Sequence, residues 1–259
     1  MPLRVVSYNI LDGGTGRADQ IAAVIERQRP DLVALVEADD AGVVAELARR
    51  LKMDFVRAVG PGDASALLSR WTIRQSTNRA LLDPAISKSF LEAIVVTPRG
   101  QPLPVGVLHL HPRAFEADEQ ARERELAAVL KAFAKHRERG TPHLLCGDFN
   151  ANHPTQVIDL ERARPKTVLA WDANGGMIPR RVVQTLLDAG YVDTLSAARG
   201  NDADTTYTFT TDHPGQRVDY AFAWGVPAER VRDAWVEQGD PAASASDHYP
   251  VGAELRVED

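Results

Sequence analysis

Apolar residues are arranged along this chain in two patterns, and each predicts a different kind of element. In Leu3–Asn9 and Leu32–Val36 they follow one another almost without a break, which is typical of strands covered on both faces. In 17–28, 41–51 and 116–139 they recur at intervals of three and four residues, which predicts amphipathic helices. The chain therefore begins with alternating strands and helices.

After residue 52 the apolar runs become shorter, and Gly, Pro, Asp or Ser separates most of them, as in antiparallel meanders. Strands are predicted at 55–59, 64–69, 79–82, 90–96, 103–109, 144–146, 206–210, 217–223, 231–236 and 251–257. Two further helices are predicted at 156–162 and 181–189, with a loop at 170–176. No repeat or long linker divides the chain, so we expect a single α/β domain over 1–259, with two packed sheets and helices outside.

The predicted helix over 116–139 is the longest of the chain. Leu126, Val129, Leu130 and Phe133 form its apolar stripe, while its other faces carry many Glu, Arg and Lys residues. We expect these charged faces to be solvated.

Composition places the chain among ordinary globular proteins, with 44% hydrophobic and 25% charged residues in 259. The single cysteine, Cys146, excludes an intrachain disulfide, and its apolar surroundings predict a packed core residue rather than a nucleophile. No apolar run approaches the ~20 residues of a membrane span. Because Pro2 leads directly into a strand without a signal peptide, we expect a cytoplasmic protein.

The net charge of −6, from 36 acidic and 30 basic residues, gives the protein no general attraction for polyanions. This charge counts against a protein that binds long nucleic acid mainly by electrostatic attraction, although a local basic patch is compatible with the negative net charge.

The first candidate for chemistry is Gly147-Asp148-Phe149-Asn150, which follows an apolar strand. If the extended backbone continues, Asp148 and Asn150 point the same way and can hold a metal, a phosphate oxygen or a water between them. Gly, Asp and Asn are equally the residues of a turn. These four residues alone leave both interpretations open.

Similar polar residues recur at the ends of other predicted strands. Each one alone has an ordinary structural explanation as a turn residue, a surface charge or a satisfied carboxylate. Because the strands of packed sheets converge at one rim, the set together indicates a site. Its members are Asn9, Glu37, His109, Asp148, Asn150, Asp219, Asp247 and His248.

The order of the surrounding motifs resembles that of the endonuclease/exonuclease/phosphatase superfamily, the deoxyribonuclease I-like fold. The resemblance extends from residue 3 to residue 251. It rests on Ser7-Tyr-Asn9, Val33-Ala-Leu-Val-Glu37, Leu108-His-Leu110, Gly147-Asp-Phe-Asn150, Arg217-Val-Asp-Tyr220 and Ser246-Asp-His-Tyr-Pro250. It implies a four-layer α/β/β/α sandwich of two mainly antiparallel sheets and divalent-metal-dependent hydrolysis of phosphate esters. Oxygen ligands without a cysteine pair favour Mg²⁺ or Mn²⁺ over Zn²⁺.

The resemblance also implies roles around the metal. Glu37 would be the principal ligand, with Asn9 and Asp247 near the metal or the scissile phosphate. His248 would lie above the phosphorus, oriented by the carboxylate of Asp219, which fixes the imidazole tautomer and supports its charged form.

By the same resemblance, Asp148 and Asn150 would position and deprotonate the attacking water, or handle the leaving group. His109 would donate to a phosphate oxygen. Alternation places His111 on the same face as His109, which makes it a candidate supporting residue. Whether Asp148 or His248 is the base stays open.

The substrate is less well defined than the reaction. The DNA-repair branch typically has Gln before the metal-binding Glu, where this chain has Val36. We therefore expect a monomeric phosphoesterase acting on a small or lipid-derived phosphoester. The alternatives are a nuclease acting on DNA or RNA, and a catalytically silent binding module.

Two further features concern the walls of the predicted site. Arg113, Arg180 and Arg181 are candidates for binding substrate phosphate, although a solvated position is the simpler expectation for each. The segment 170–179 is predicted to form a substrate wall.

Overall fold

The computed structural model describes residues 2–258. Their strands are β1 Leu3–Asn9, β2 Leu32–Val36, β3 Asp54–Val59, β4 Ala64–Ser69, β5 Ile73–Asn78, β6 Ser89–Val96, β7 Pro102–His109, β8 His143–Asp148, β9 Tyr191–Asp193, β10 Asp219–Trp224, β11 Val231–Val236 and β12 Val251–Leu255. Their α-helices are α1 Ala18–Gln28, α2 Ala41–Leu51, α3 Glu116–Glu138, α4 Pro165–Ala173, α5 Arg181–Asp188, α6 Thr194–Arg199 and α7 Ala242–Ala245.

These strands form two six-stranded sheets. One has the order β11-β12-β1-β2-β4-β3, and the other has the order β5-β6-β7-β8-β10-β9. Each sheet contains one parallel pair, β1 with β2 and β7 with β8, and its other pairs are antiparallel. The expectation of two mainly antiparallel sheets is confirmed.

Alternating side chains on the strands divide the core into three layers. The cluster between the sheets takes Val5 and Ala34 from one sheet and Val105 and Cys146 from the other. The opposite face of the first sheet packs on α1 and α2, and that of the second packs on α3 and α5. The result is the expected four-layer α/β/β/α sandwich, in which Cys146 is buried as predicted. Within residues 2–258, no helix is both long enough and apolar enough to cross a membrane.

Several predicted segments are wrong. Residues 79–82 form a turn instead of a strand, and the strand β5 lies just before them. Residues 156–162 contain no helix, because Asp159 accepts from the amides of Glu161 and Arg162 and makes a turn. The segment 206–210 holds only an isolated bridge at Phe209, and α4 begins five residues before the predicted loop at 170–176.

The charged faces of α3 are also less solvated than predicted. Glu119, Arg122 and Glu125 are buried, and Arg122 forms an ion pair with Glu119 at 2.8 Å. Glu125 accepts hydrogen bonds from the backbone of the loops that precede β6 and follow β7. This side of α3 therefore binds the loops before β6 and after β7 through hydrogen bonds.

The sheet order brings the polar strand ends together. Asn9 ends β1, and Glu37 follows the adjacent parallel strand β2. In the other sheet, His109 ends β7, and Asp148 ends β8 opposite Asp219. Both sets lie at one end of the sandwich.

Candidate active site

Glu37 and Asn9 make the contact within the first sheet. The Asn9 Nδ2 donates to Glu37 Oε1 at 3.1 Å, and the backbone amide of Asp12 donates to Glu37 Oε2 at 3.0 Å. Burial opposes ionisation of Glu37, but these hydrogen bonds and the charges of His109 and His248 lower its pKa. Glu37 is therefore held as a carboxylate that faces the second sheet.

His248 is held by Asp219 on one side and by an aromatic ring on another. Its Nδ1 lies 2.8 Å from Asp219 Oδ2, and its ring packs on Phe209 at a centroid distance of 4.4 Å. Burial opposes protonation, but the charges of Asp219, Asp148 and Asp247 raise the pKa of His248 to about 10. The hydrogen bond to Asp219 therefore orients the ring with Nε2 toward the centre, and the surrounding carboxylates favour its charged form.

Asp148 lies at the centre of the cluster. Its Oδ2 is 3.3 Å from Asn9 Nδ2, 3.4 Å from His109 Nε2 and 3.7 Å from His248 Nε2. Burial and the charge of Asp219 raise the pKa of Asp148 to about 6, although the two imidazoles oppose the shift. One buried carboxylate thus contacts groups from both sheets.

Asn150 does not continue the strand. It has a left-handed φ of 49°, and its amide donates to Asp148 Oδ1 at 2.8 Å. Its Nδ2 donates to the carbonyl of Leu110 at 3.0 Å, so its Oδ1 stays available. Residues 148–150 therefore form the turn that the sequence allowed, and the extended continuation does not occur.

His109 belongs to a second imidazole–carboxylate pair. Its Nδ1 lies 2.7 Å from Asp63 Oδ2, and Lys88 Nζ lies 3.3 Å from the same oxygen. Burial lowers the pKa of His109, but Asp63, Asp148 and Glu37 outweigh it and raise the pKa overall. His109 is thereby held with Nε2 toward Asp148.

Asp63 is absent from the motifs found in the sequence. It follows Gly60-Pro-Gly62 in the connection between β3 and β4, where an aspartate is typical of a turn. The available signal was its position at the same end of the first sheet as Glu37. His111 is not a supporting residue, because the strand ends at His109 and the His111 Nε2 instead contacts Asp118 at 3.0 Å.

Asp247 completes the set and lies at the edge of the cluster. Its side chain is 36% exposed, but its Oδ1 is buried without a hydrogen-bond partner among the described residues. Burial raises the pKa of Asp247, and the negative charges of Glu37 and Asp219 raise it further. A cation beside Asp247 and Glu37 would relieve this repulsion and supply the missing partner.

Glu37 and Asp247 offer carboxylate oxygens that suit a hard divalent cation, and the Asp247 Oδ1 has no hydrogen-bond partner among the described residues. The Asn9 Oδ1 accepts from the backbone amide of Leu11 at 3.0 Å, so Asn9 turns its Nδ2 toward Glu37. A second grouping also exists, because Asp148, Asp219 and His248 offer ligand atoms within 4.8 Å of one another. A metal bound at the second grouping would have to displace the proton that the His248 imidazole shares with Asp219.

The remaining predicted phosphate-binding residues divide into two types. Arg180 donates to the carbonyls of residues 153 and 154, and Arg181 pairs with two glutamates of α3. Arg113 instead lines a cleft beside Asn150. Residues of 112–115 and 164–169 form parts of its lining, and the predicted wall segment 170–179 does not contribute to it.

Comparison with known proteins identifies the family and the fold of this chain. The model of the Endonuclease/Exonuclease/phosphatase family matches residues 6–248, so the chain belongs to that family of phosphoester hydrolases and nucleases. Solved structures share the fold. An AP endonuclease from Archaeoglobus fulgidus is 19% identical, with a TM-score of 0.74 over 98% of this chain and 99% of that one.

Two further structures extend the comparison. A 3′ phosphatase, NExo, from Neisseria bound to a product DNA hairpin is 20% identical, with a TM-score of 0.71 over 98% of this chain and 99% of that one. An endonuclease/exonuclease/phosphatase from Beutenbergia cavernae is 21% identical, with a TM-score of 0.69 over 98% of this chain and 71% of that one. At these identities the likeness establishes the fold.

Proposed function

We propose that this protein is a Mg²⁺- or Mn²⁺-dependent phosphoesterase that hydrolyses a small or lipid-derived phosphoester or phosphodiester with an activated water. The observation that supports it is the position of Asp148, whose Oδ2 lies within 3.7 Å of Asn9, His109 and His248. Such a cluster combines a carboxylate that can accept a proton with three groups that can donate to phosphate oxygens.

Each residue has a role in this proposal. Glu37, Asn9 and Asp247 would hold the cation, which when bound would neutralise charge on the phosphate oxygens and on the departing alkoxide. Asp148 accepts the proton of the attacking water, and the Asn150 Oδ1 orients that water.

The two imidazoles act on the phosphate itself. His248 and His109 donate from Nε2 to its non-bridging oxygens, where negative charge accumulates as the water attacks. Asp219 and Asp63 occupy their Nδ1 positions and thereby keep Nε2 directed at the substrate.

The test is a substrate panel with three metal conditions. Hydrolysis of bis-p-nitrophenyl phosphate, p-nitrophenyl phosphate and a labelled abasic duplex is measured in Mg²⁺, Mn²⁺ and EDTA. Glu37→Ala and His248→Ala should each lower metal-dependent turnover by about 100-fold or more. Glu26→Ala and His213→Ala are matched controls, because both residues are exposed and lie outside the cluster. A folded Glu37 or His248 variant with near-native turnover would contradict the proposal.

A DNA-directed nuclease is the second candidate function. It is favoured by the likeness to an AP endonuclease and to a 3′ phosphatase bound to a DNA hairpin. The net charge of −6 and Val36 before Glu37 count against it. Preferential cleavage of the abasic duplex over both nitrophenyl esters would establish this alternative.

A further inference from the structure

A cleft of about 420 Å³ lies beside the cluster and has no role in the proposed chemistry. It shares Asn150 with the cluster and is bordered by Phe209, the ring that packs on His248. Two large apolar side chains stand on its walls, Phe115 at the start of α3 and Leu169 on α4, and they are 40% and 62% exposed. A group attached to a phosphate at the cluster would therefore extend into this cleft.

The charges that line the cleft are all positive. Arg113, Arg164 and Lys166 contribute to it, and no carboxylate does so in the described part of the chain. None of the three side chains forms an ion pair or a hydrogen bond within residues 2–258. Arg181, by contrast, pairs with two glutamates. Arg164 also interacts electrostatically with the carboxylate of Asp247, whereas no such interaction involves Arg113 or Lys166 among the described residues. A cleft lined by three cations and no carboxylate, in a protein of net charge −6, favours an anionic ligand.

Arg164 connects this cleft to the candidate catalytic groups. Its guanidinium carbon lies 4.9 Å from the centroid of Phe209, whose ring also packs on His248. Because both groups contact one ring, the Arg164 guanidinium lies no more than about 9 Å from the centre of the His248 imidazole. A spacer the size of one ring would span the distance between an anion at Arg164 and a phosphate at His248.

The Gln216 side chain indicates independently what kind of group joins the two anions. It lines the cleft, is only 7% exposed, and has a buried Oε1 with no hydrogen-bond partner among the described residues. A buried amide without a partner is costly unless a ligand satisfies it. Since the amide both donates and accepts, hydroxyl groups of a ring or a short polyol are suitable partners.

We propose that the cleft binds a second phosphate of the substrate, joined to the scissile phosphate through a small hydroxylated ring. This proposal rests on the proposed function for the identity of the scissile group. Arg113, Arg164 and Lys166 contact the second phosphate, and Gln216 contacts the hydroxylated ring. A nucleoside bisphosphate and an inositol bisphosphate share this chemistry.

The test measures binding separately from turnover. Calorimetry in EDTA, where metal-dependent hydrolysis does not proceed, compares thymidine 5′-monophosphate with thymidine 3′,5′-bisphosphate. A parallel pair compares inositol 1-phosphate with inositol 1,4-bisphosphate. In at least one pair the second phosphate should tighten binding by about tenfold or more, as expected for new charge-assisted contacts.

Variants of the cleft residues test whether the preference for the second phosphate arises in the cleft. In the double variant Arg113→Gln/Lys166→Gln, the second phosphate should tighten binding by less than about threefold. In Lys131→Gln, the full preference for the second phosphate should remain. Both replaced residues and Lys131 are exposed, so the fold is expected to persist. Gln216→Leu should weaken both members of a pair equally, because it contacts the ring they share.

The outcomes separate the two ligand sources and the two proposals. A preference confined to the nucleotide pair or to the inositol pair supports the cleft proposal and identifies the source. Equal binding within both pairs, or a preference that survives in the double variant, overturns it. A preserved preference without hydrolysis of any ester in Mg²⁺ or Mn²⁺ would overturn the proposed function and support the binding role of the cleft.

Discussion

The two ends of the second sheet each bury a histidine, and the two imidazoles have opposite electrostatic environments. His143 begins β8, and His248 lies at the other end of that strand beside Asp148. Both are at most 4% exposed. Nevertheless, the pKa of His143 is lowered to about 4, and that of His248 is raised to about 10.

The difference comes from the partners and not from the burial. His143 Nδ1 donates to the carbonyl of Thr141 at 2.9 Å, its Nε2 accepts from the hydroxyl of Tyr191 at 2.8 Å, and its ring stacks on Trp224. These partners suit a neutral imidazole, and burial together with the nearby His136 and Arg137 disfavours the charged one. At the other end, carboxylates offset the same penalty. A buried histidine therefore indicates chemistry only where carboxylates face it.

Removing the carboxylate of Asp219, at the end of the sheet that holds His248, should have the largest effect on activity. Asp219→Asn deletes the acceptor that lies 2.8 Å from His248 Nδ1 and should lower kcat by about 100-fold or more. In the metal-free protein, the pKa of His248 should fall from about 10 toward or below the ordinary 6.5.

Proton NMR titration of the variant in EDTA checks this shift. His143 is an internal control in the same spectra, since it lies at the other end of the sheet and its pKa should not change. A His248 pKa that stays near 10 in a folded Asp219→Asn protein would contradict the electrostatic explanation.

The end of the second sheet that buries His143 should limit the stability of the protein in acid. Because the folded-state pKa of His143 lies below its unfolded value of 6.5, its contribution is fully present above about pH 6.5 and is lost as the pH falls toward 4. The loss by pH 4 is about 3 kcal/mol for a shift of this size. Other groups add their own pH dependence, so the variant must be compared with the unmodified protein.

Urea denaturation at pH 7 and pH 4 measures this contribution. In His143→Gln the difference between the two free energies of unfolding should shrink by about 3 kcal/mol, because no imidazole remains to be protonated. His213→Gln, at an exposed histidine, should leave the difference unchanged. An unchanged difference in the His143 variant would show that this imidazole is not kept neutral by the fold.

The sequence could distinguish these two ends only in part. His248 lies between Asp247 and Tyr249 in a motif that resembles the family's, whereas His143 precedes an apolar run and belongs to no motif. Asp63 is less apparent, because its local sequence is typical of a turn and its contact with His109 joins residues far apart in the chain. Only its position at the same end of the first sheet as Glu37 points to it.

The fold shows the same limit. Central strands such as β1 and β2 were predicted because burial on both faces leaves a continuous apolar run. The edge strand β5 is mostly polar and was missed, since an exposed strand needs no apolar alternation. The buried charges of α3 are indistinguishable in sequence from solvated ones, because only tertiary contacts supply their partners.

His109 is a third buried histidine, and it tests whether a carboxylate partner has the same importance there as at His248. We expect the smallest effect at this position. It resembles His248 in having a carboxylate at Nδ1, so Asp63→Asn should lower kcat/KM by roughly tenfold, a fraction of what a proton donor contributes. Asp54→Asn, at an exposed aspartate, is the matched control. If Asp63 acts only through His109, Asp63→Asn should cost nothing further in a His109→Ala background. Additive losses in that double-mutant cycle would mean that Asp63 acts on the substrate or the fold independently, and the likeness between the two imidazole–carboxylate pairs would then end at their geometry.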